Sequence, residues 1–147
     1  MTEGRDRRRR LARGAAVVVV GTALAACVPA RPASTSAVDV AVAFYDAVDR
    51  ADGGAACDLL APVTVESLED DADESCSEAV LDGEVGETLT ARTGDASGSA
   101  TVAGRQAQVV LADDVLFLTV SGTTWRIVAA GCDPRPDRPY DCVLEGA

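Results

Sequence analysis

Five cysteines carry most of the chemistry open to this chain: Cys27, Cys57, Cys76, Cys132 and Cys142. Histidine is absent. That excludes Ser-His-Asp and Cys-His nucleophile systems and any histidine-ligated metal. A four-cysteine zinc site needs pairs of the C-x2–4-C kind, and the sequence contains none. Neither a metal nor another cofactor is expected. What remains for the thiols is acylation or oxidation, and the compartment decides between them.

Cys27 closes a stretch of three zones. Arg5, Arg7, Arg8, Arg9, Arg10 and Arg13 make the first zone basic, residues 14–26 are apolar, and Leu24-Ala25-Ala26 puts small residues before the cysteine. Basic, apolar, small is the order of a secretory signal. The 13 apolar residues rise ~1.5 Å each, too little to span a ~30 Å hydrocarbon core. Leu24-Ala25-Ala26-Cys27 resembles the lipobox of bacterial lipoproteins. The resemblance implies a signal peptide over 1–26, cleavage before Cys27, a diacylglyceryl group on its sulfur and an N-acyl chain such as palmitate. The partner is then the bilayer, with the protein lipid-anchored on the extracytoplasmic face of the cell membrane, and two or more chains suffice for stable anchoring. Arg9-Arg10-Leu11 is also faintly similar to a twin-arginine export signal.

The chain has 24 acids against 13 bases, a net charge of −11, with no lysine and no asparagine. Their joint absence suggests a high-GC genome. The leader removes six arginines and two acids, so the mature chain carries 7 bases, 22 acids and a net −15. Such a surface repels nucleic acid and anionic headgroups, and it also favours solubility. Residues 28–37, with two prolines and three hydroxyl side chains, read as a tether behind the lipidated Cys27. The single domain spans 38–147.

Four cysteines in an exported domain suggest two disulfides, with three possible connectivities. The local one joins Cys57 to Cys76 and Cys132 to Cys142. Cys57 follows a Gly53-Gly54 break that lets a short helix fold back toward Cys76. Cys132 and Cys142 bracket a stretch with three prolines, which reads as a loop and not a ladder strand. Crossed pairings would need that stiff tail to reach the helical layer.

Helical spacing covers 38–52, where Val40, Ala41, Phe44, Ala47, Val48 and Ala51 share a face and Asp46 lies opposite. A second helix runs over 55–60 to Pro62, a third over 64–68 with Thr64 as its cap. Ser75-x-x-Glu78 reads as a capping box opening a last helix that Gly83 closes. Alternation then predicts strands at 88–93, 99–103, 106–111, 115–120 and 125–130, with Asp113-Asp114 in a turn. Helices first and an antiparallel meander of four to five strands second make an α+β domain.

Ala43-Phe44-Tyr45-Asp46-Ala47, Ala56-Cys57-Asp58-Leu59-Leu60-Ala61-Pro62, Ser75-Cys76, the stretch from Trp125 to Cys132, and Pro139-Tyr140-Asp141-Cys142 resemble the NTF2-like domains of secreted actinobacterial proteins. The resemblance implies a cone in which N-terminal helices pack on a curved antiparallel sheet and enclose a pocket. Tyr45 and Trp125 would line that pocket, although a lone strand tryptophan more commonly anchors a core. Unlike the fuller family pattern, this chain has no clear strand pair between its early helices. The resulting expectation is a non-enzymatic lipoprotein that binds an envelope ligand or partner protein. The alternative is a small isomerase or dehydratase using a carboxylate and Tyr45, since the fold includes ketosteroid-isomerase-type enzymes. No acid falls at an inward position of the clear strands, which weighs against it.

The run Glu69-Asp70-Asp71-Ala72-Asp73-Glu74 lacks the glycine of a calcium loop at its sixth position and reads as a solvated loop. Gly94-Asp95-Ala96-Ser97-Gly98 has no Gly-Lys-Ser/Thr ending and leads into no helix, so it reads as a turn.

Overall fold

The computed structural model describes residues 34–94 and 97–146. The expected signal peptide, Cys27 and most of the expected tether lie outside the described residues. Five helices precede five strands: α1 (Ser34–Asp49), α2 (Gly53–Cys57), α3 (Pro62–Ala72), α4 (Cys76–Ala79), α5 (Gly83–Ala91), then β1 (Ser99–Ala103), β2 (Gln106–Val110), β3 (Val115–Ser121), β4 (Thr124–Arg135) and β5 (Arg138–Glu145). The strands form one sheet in the order β1-β2-β3-β4-β5, every pairing antiparallel. The domain is therefore α+β.

The meander follows from its turns. The β1–β2 and β3–β4 links are two residues each, and both start with a glycine at positive φ, Gly104 and Gly122. That geometry matches the twist of paired strands. Alternation puts Val109, Leu116, Leu118, Trp125 and Ile127 on the face toward the helices, all fully buried. Phe44, Leu60, Val80 and Leu89 meet them from the helical side.

The helical half departs from expectation in four ways. First, α1 starts within the presumed tether, with Ala37 already buried, and it stops at Asp49. Ala51 takes a left-handed φ of 53°, and the Asp52 side chain caps α2 by accepting from Ala55 N. Second, Pro62 opens α3 instead of only ending α2, a position where its missing N–H costs nothing. Thr64 is then not a cap. It is buried inside the helix, and its Oγ1 donates toward the carbonyls of Ile127 and Val128 at 3.3 and 3.2 Å.

Third, the acidic run is not wholly loop, because Glu69 to Ala72 form the last turn of α3 and Asp73 caps it in the left-handed conformation. Ser75 and Glu78 bond to each other through their side chains at 2.6 Å, and the Cys76 N–H goes to Glu69 Oε1 at 2.9 Å. The capping box is thus not formed, and α4 is a single turn. Fourth, residues 88–91 are not a strand. Gly83 begins α5 instead of closing a helix, and Val85, Thr88 and Leu89 turn inward at helical spacing. Gly86 brings the helix so close that a Cβ there would lie 2.1 Å from the Leu81 carbonyl carbon. Packing overrides the β preference of the threonines.

The sheet still has five strands because the proline-rich tail supplies one. β5 is the edge strand, so the missing N–H of Pro139 leaves no ladder position empty on its open side. Pro134 sits where β4 has already outrun its pairing with β3, which ends at Ala129. Asp137, at φ 57°, turns the hairpin. β4 is flanked on this side first by Leu59–Ala61, with Ile127 N donating to Leu59 O at 2.9 Å and Ala61 N to Ile127 O at 2.7 Å, and then by β5. That link ties the helical half to the middle of the sheet.

The cysteines pair locally. Cys57–Cys76 has a Cα separation of 6.1 Å, and Cys132–Cys142 one of 4.0 Å. The first joins the end of α2 to the start of α4, where a Cβ on Gly53 would run into Ser77 O at 1.9 Å. The second falls below the usual ~4.4–6.8 Å and joins two residues that face each other directly across β4 and β5.

Candidate functional site

Val42, Tyr45, Asp46 and Asp49 are spaced i, i+3, i+4, i+7 and form one stripe of α1, beside the stripe that enters the core. Together with Arg92, Thr93, Leu111 and Asp113 this stripe bounds a cleft of about 430 Å³. Its back wall is polar. Arg92 is the C-terminal cap residue of α5, and Asp114 ends the link from β2 to β3. The Asp114 side chain is wholly buried.

Asp114 accepts four hydrogen bonds, two on each oxygen. Tyr45 Oη donates to Oδ2 at 2.5 Å and Gly131 N to the same atom at 2.9 Å; Arg92 Nη1 donates to Oδ1 at 2.9 Å and Cys132 N at 2.8 Å. Two successive backbone N–H groups aimed at one anion make a concavity of the nest type. Gly131 makes it possible. Its φ is +66°, and a Cβ there would meet Val143 Cγ1 at 2.4 Å. Arg92 also donates to Cys132 O at 3.3 Å and, through Nη2, to exposed Asp133 at 2.9 Å. One carboxylate thus holds α1, α5, β3 and β4 together.

Burial, and then the charge of Asp114, pushes the Tyr45 phenol far above its ordinary value near 10. For Arg92, burial opposes the charge, but the carboxylates of Asp133 and Asp114 outweigh it and hold the guanidinium above its usual value. Tyr45 therefore keeps its proton at neutral pH, and that proton points at Asp114. Every buried side-chain nitrogen and oxygen among the described residues has a partner. The groups left facing the cleft are Asp46, Asp49 and Asp113, on either side of Val42 and Leu111. Among the described residues, no three histidine, cysteine or carboxylate side chains converge to hold a metal ion.

The raised phenol has a consequence at alkaline pH. The folded state holds the Tyr45 proton more tightly than the unfolded chain, whose phenol titrates near ~10. The stabilisation this implies is full below pH ~10 and drains away as pH climbs above it. In a Tyr140→Phe background Tyr45 is the sole tyrosine. Its tyrosinate absorbance should then rise only in step with loss of far-ultraviolet circular dichroism. A tyrosinate signal that rises near pH ~10 with the fold intact would refute the burial assigned to it.

Of the two pocket residues expected from sequence, Tyr45 borders the cleft. Trp125 does not: it stands in the core on β4, 2% exposed. No acid stands at an inward position of a strand, and Asp114 lies in the β2–β3 link as expected, but it is buried there, which the reading of 113–114 as a turn did not anticipate. A legible signal existed, because Asp114 has the parity of Leu116, Leu118 and Val120, so one further alternation of β3 turns it inward. Arg92 had no such signal, since 88–93 read as strand. Compared with protein-family models, curated proteins and solved structures, the chain matches none.

Proposed function

We propose that this chain is a lipoprotein anchored through acylated Cys27 to the extracytoplasmic face of the cell membrane. Its NTF2-like domain presents the cleft beside Tyr45 to an envelope ligand or partner protein without catalysing a reaction. The two disulfides carry the reading, because oxidised pairs persist outside the cytoplasm and the basic–apolar–small leader ending at Cys27 supplies the export. Helices packed on one face of an antiparallel sheet agree with a shallow NTF2-like cone.

The isomerase or dehydratase reading has the Tyr45–Asp114 contact in its favour. Against it, that carboxylate is sealed from the cleft with four donors on it, and the tyrosine spends its proton on the carboxylate. A general base needs hydrogen-bonding reach to a substrate proton, and neither group has it. A binding role asks only for the cleft.

Cys27→Ser tests the anchor. The variant should appear in the medium or accumulate as uncleaved precursor, while the wild type partitions into the detergent phase. Unchanged detergent partitioning of the cleaved variant would refute the lipoprotein assignment.

A further inference from the structure

A second depression, of about 340 Å³, lies away from Tyr45, between the end of α3, the start of α5 and the edge strand β5. Its floor is apolar: Leu68 and Leu144 are buried, Val85 and Val143 half-buried. Its rim carries Asp71, Glu74, Asp82, Glu84 and Glu145, all exposed. No arginine lines it, and none of the ion pairs among the described residues involves a rim acid. The imbalance is regional, since residues 62–91 hold ten acids and no base.

The fold accounts for two of the five rim acids, since Asp82 caps α5 and Glu84 lies in its first turn, where carboxylates are favoured, but not for the charge at the end of α3. Glu69, Asp70 and Asp71 occupy the last turn of α3, with no basic residue there. The helix dipole makes that end negative and disfavours carboxylates. Asp73 then caps the helix at a positive φ of 57°, where glycine is the usual choice. An apolar floor ringed by carboxylates that lack a cation has the chemistry of a groove for an amphipathic segment of opposite charge.

We propose that this groove docks a basic amphipathic segment of a partner protein. The segment's apolar side chains rest on Leu68, Val85, Val143 and Leu144, and its arginines or lysines meet the rim. The site is separate from the cleft at Tyr45 and does not depend on lipidation of Cys27.

The test uses the detergent-solubilised full chain and a fluorescent peptide of leucine and arginine with helical amphipathicity, read by anisotropy. A peptide with glutamate for arginine and an oligoarginine of equal charge serve as controls. The amphipathic basic peptide should bind, and oligoarginine should bind about tenfold more weakly for want of apolar contact. Glu74→Gln/Glu84→Gln/Glu145→Gln removes three exposed charges and should weaken the peptide about tenfold at low salt. Val85→Ser should weaken it as well; should that variant not fold, the rim variant decides alone. Asp46→Asn/Asp49→Asn, at the other cleft, should leave affinity within about twofold, because neither residue lines the groove and exposed charges without direct contact contribute little. Any of four results overturns the proposal: no binding, equal binding of oligoarginine, equal binding of the glutamate peptide, or equal loss in the Asp46/Asp49 and rim variants. The third would show a merely apolar surface, and the second and fourth diffuse acidic attraction.

Discussion

Asp114→Ala is expected to destabilise the domain by about 3–5 kcal/mol, the range for breaking a buried ion pair by removing one partner. The loss is large because four donors converge on this side chain. Without it, the Tyr45 hydroxyl and the N–H groups of Gly131 and Cys132 remain buried with no acceptor, and Arg92 keeps only exposed Asp133 and the Cys132 carbonyl. Domains of this size are stable by only ~5–15 kcal/mol, so the variant should sit near the edge of folding. Asp114→Asn keeps one acceptor oxygen but presents an amide to donors, and should recover only part of the loss. Tyr45→Phe removes a single donor and should cost less than either. Urea unfolding followed by Trp125 fluorescence measures all three. A loss below about 1 kcal/mol for Asp114→Ala, the scale of one ordinary hydrogen bond, would show that the four-bond cluster does not form.

Removal of both disulfides should have an effect of similar size. The bridges close sequence separations of 19 and 10 residues. Loop closure assigns about 3 kcal/mol to each, and together they approach the whole stability of a small domain. The two should not fail alike. Cys57–Cys76 joins α2 to α4, five and four residues long, and segments so short do not persist alone. Its loss should expose the helical half first. Cys132–Cys142 crosses a hairpin that the β4–β5 ladder also holds, so reduction there should fray mainly the tip. Hydrogen exchange on Cys57→Ser/Cys76→Ser and on Cys132→Ser/Cys142→Ser separates the cases. Equal stability of reduced and oxidised protein to within about 1 kcal/mol, well under one bridge's expected share, would refute the role given to the pair.

Much of this could be read from residue order, where the signal is local and periodic. Alternation in 99–130 placed the strands that became β1 to β3 and half of β4, because a strand with one buried face must repeat every two residues. Helical spacing placed α1 and brought Phe44, Ala47 and Val48 to the core. Cysteine positions between a two-glycine break and a capping serine, and on either side of a stiff proline stretch, were enough to favour the local pairing. The basic–apolar–small order ending at Cys27 is a linear pattern of the sequence that lies outside the described residues.

Tertiary structure decided the rest, wherever a residue's environment comes from a distant segment. Residues 88–91 are helical because Leu89 is buried in the core beside Gly131 of β4. Pro134 and Pro139 enter a strand because the hairpin lies at the sheet's edge, which three prolines cannot announce from sequence. The carboxylate cluster is the clearest case. Asp114 lies 69 positions from Tyr45, 22 from Arg92 and 17 from Gly131, and no local pattern records that four such groups will meet. A buried charge is tolerable only when its partners surround it, and they arrive from α1, α5 and β4 only after the sheet has closed against the helices.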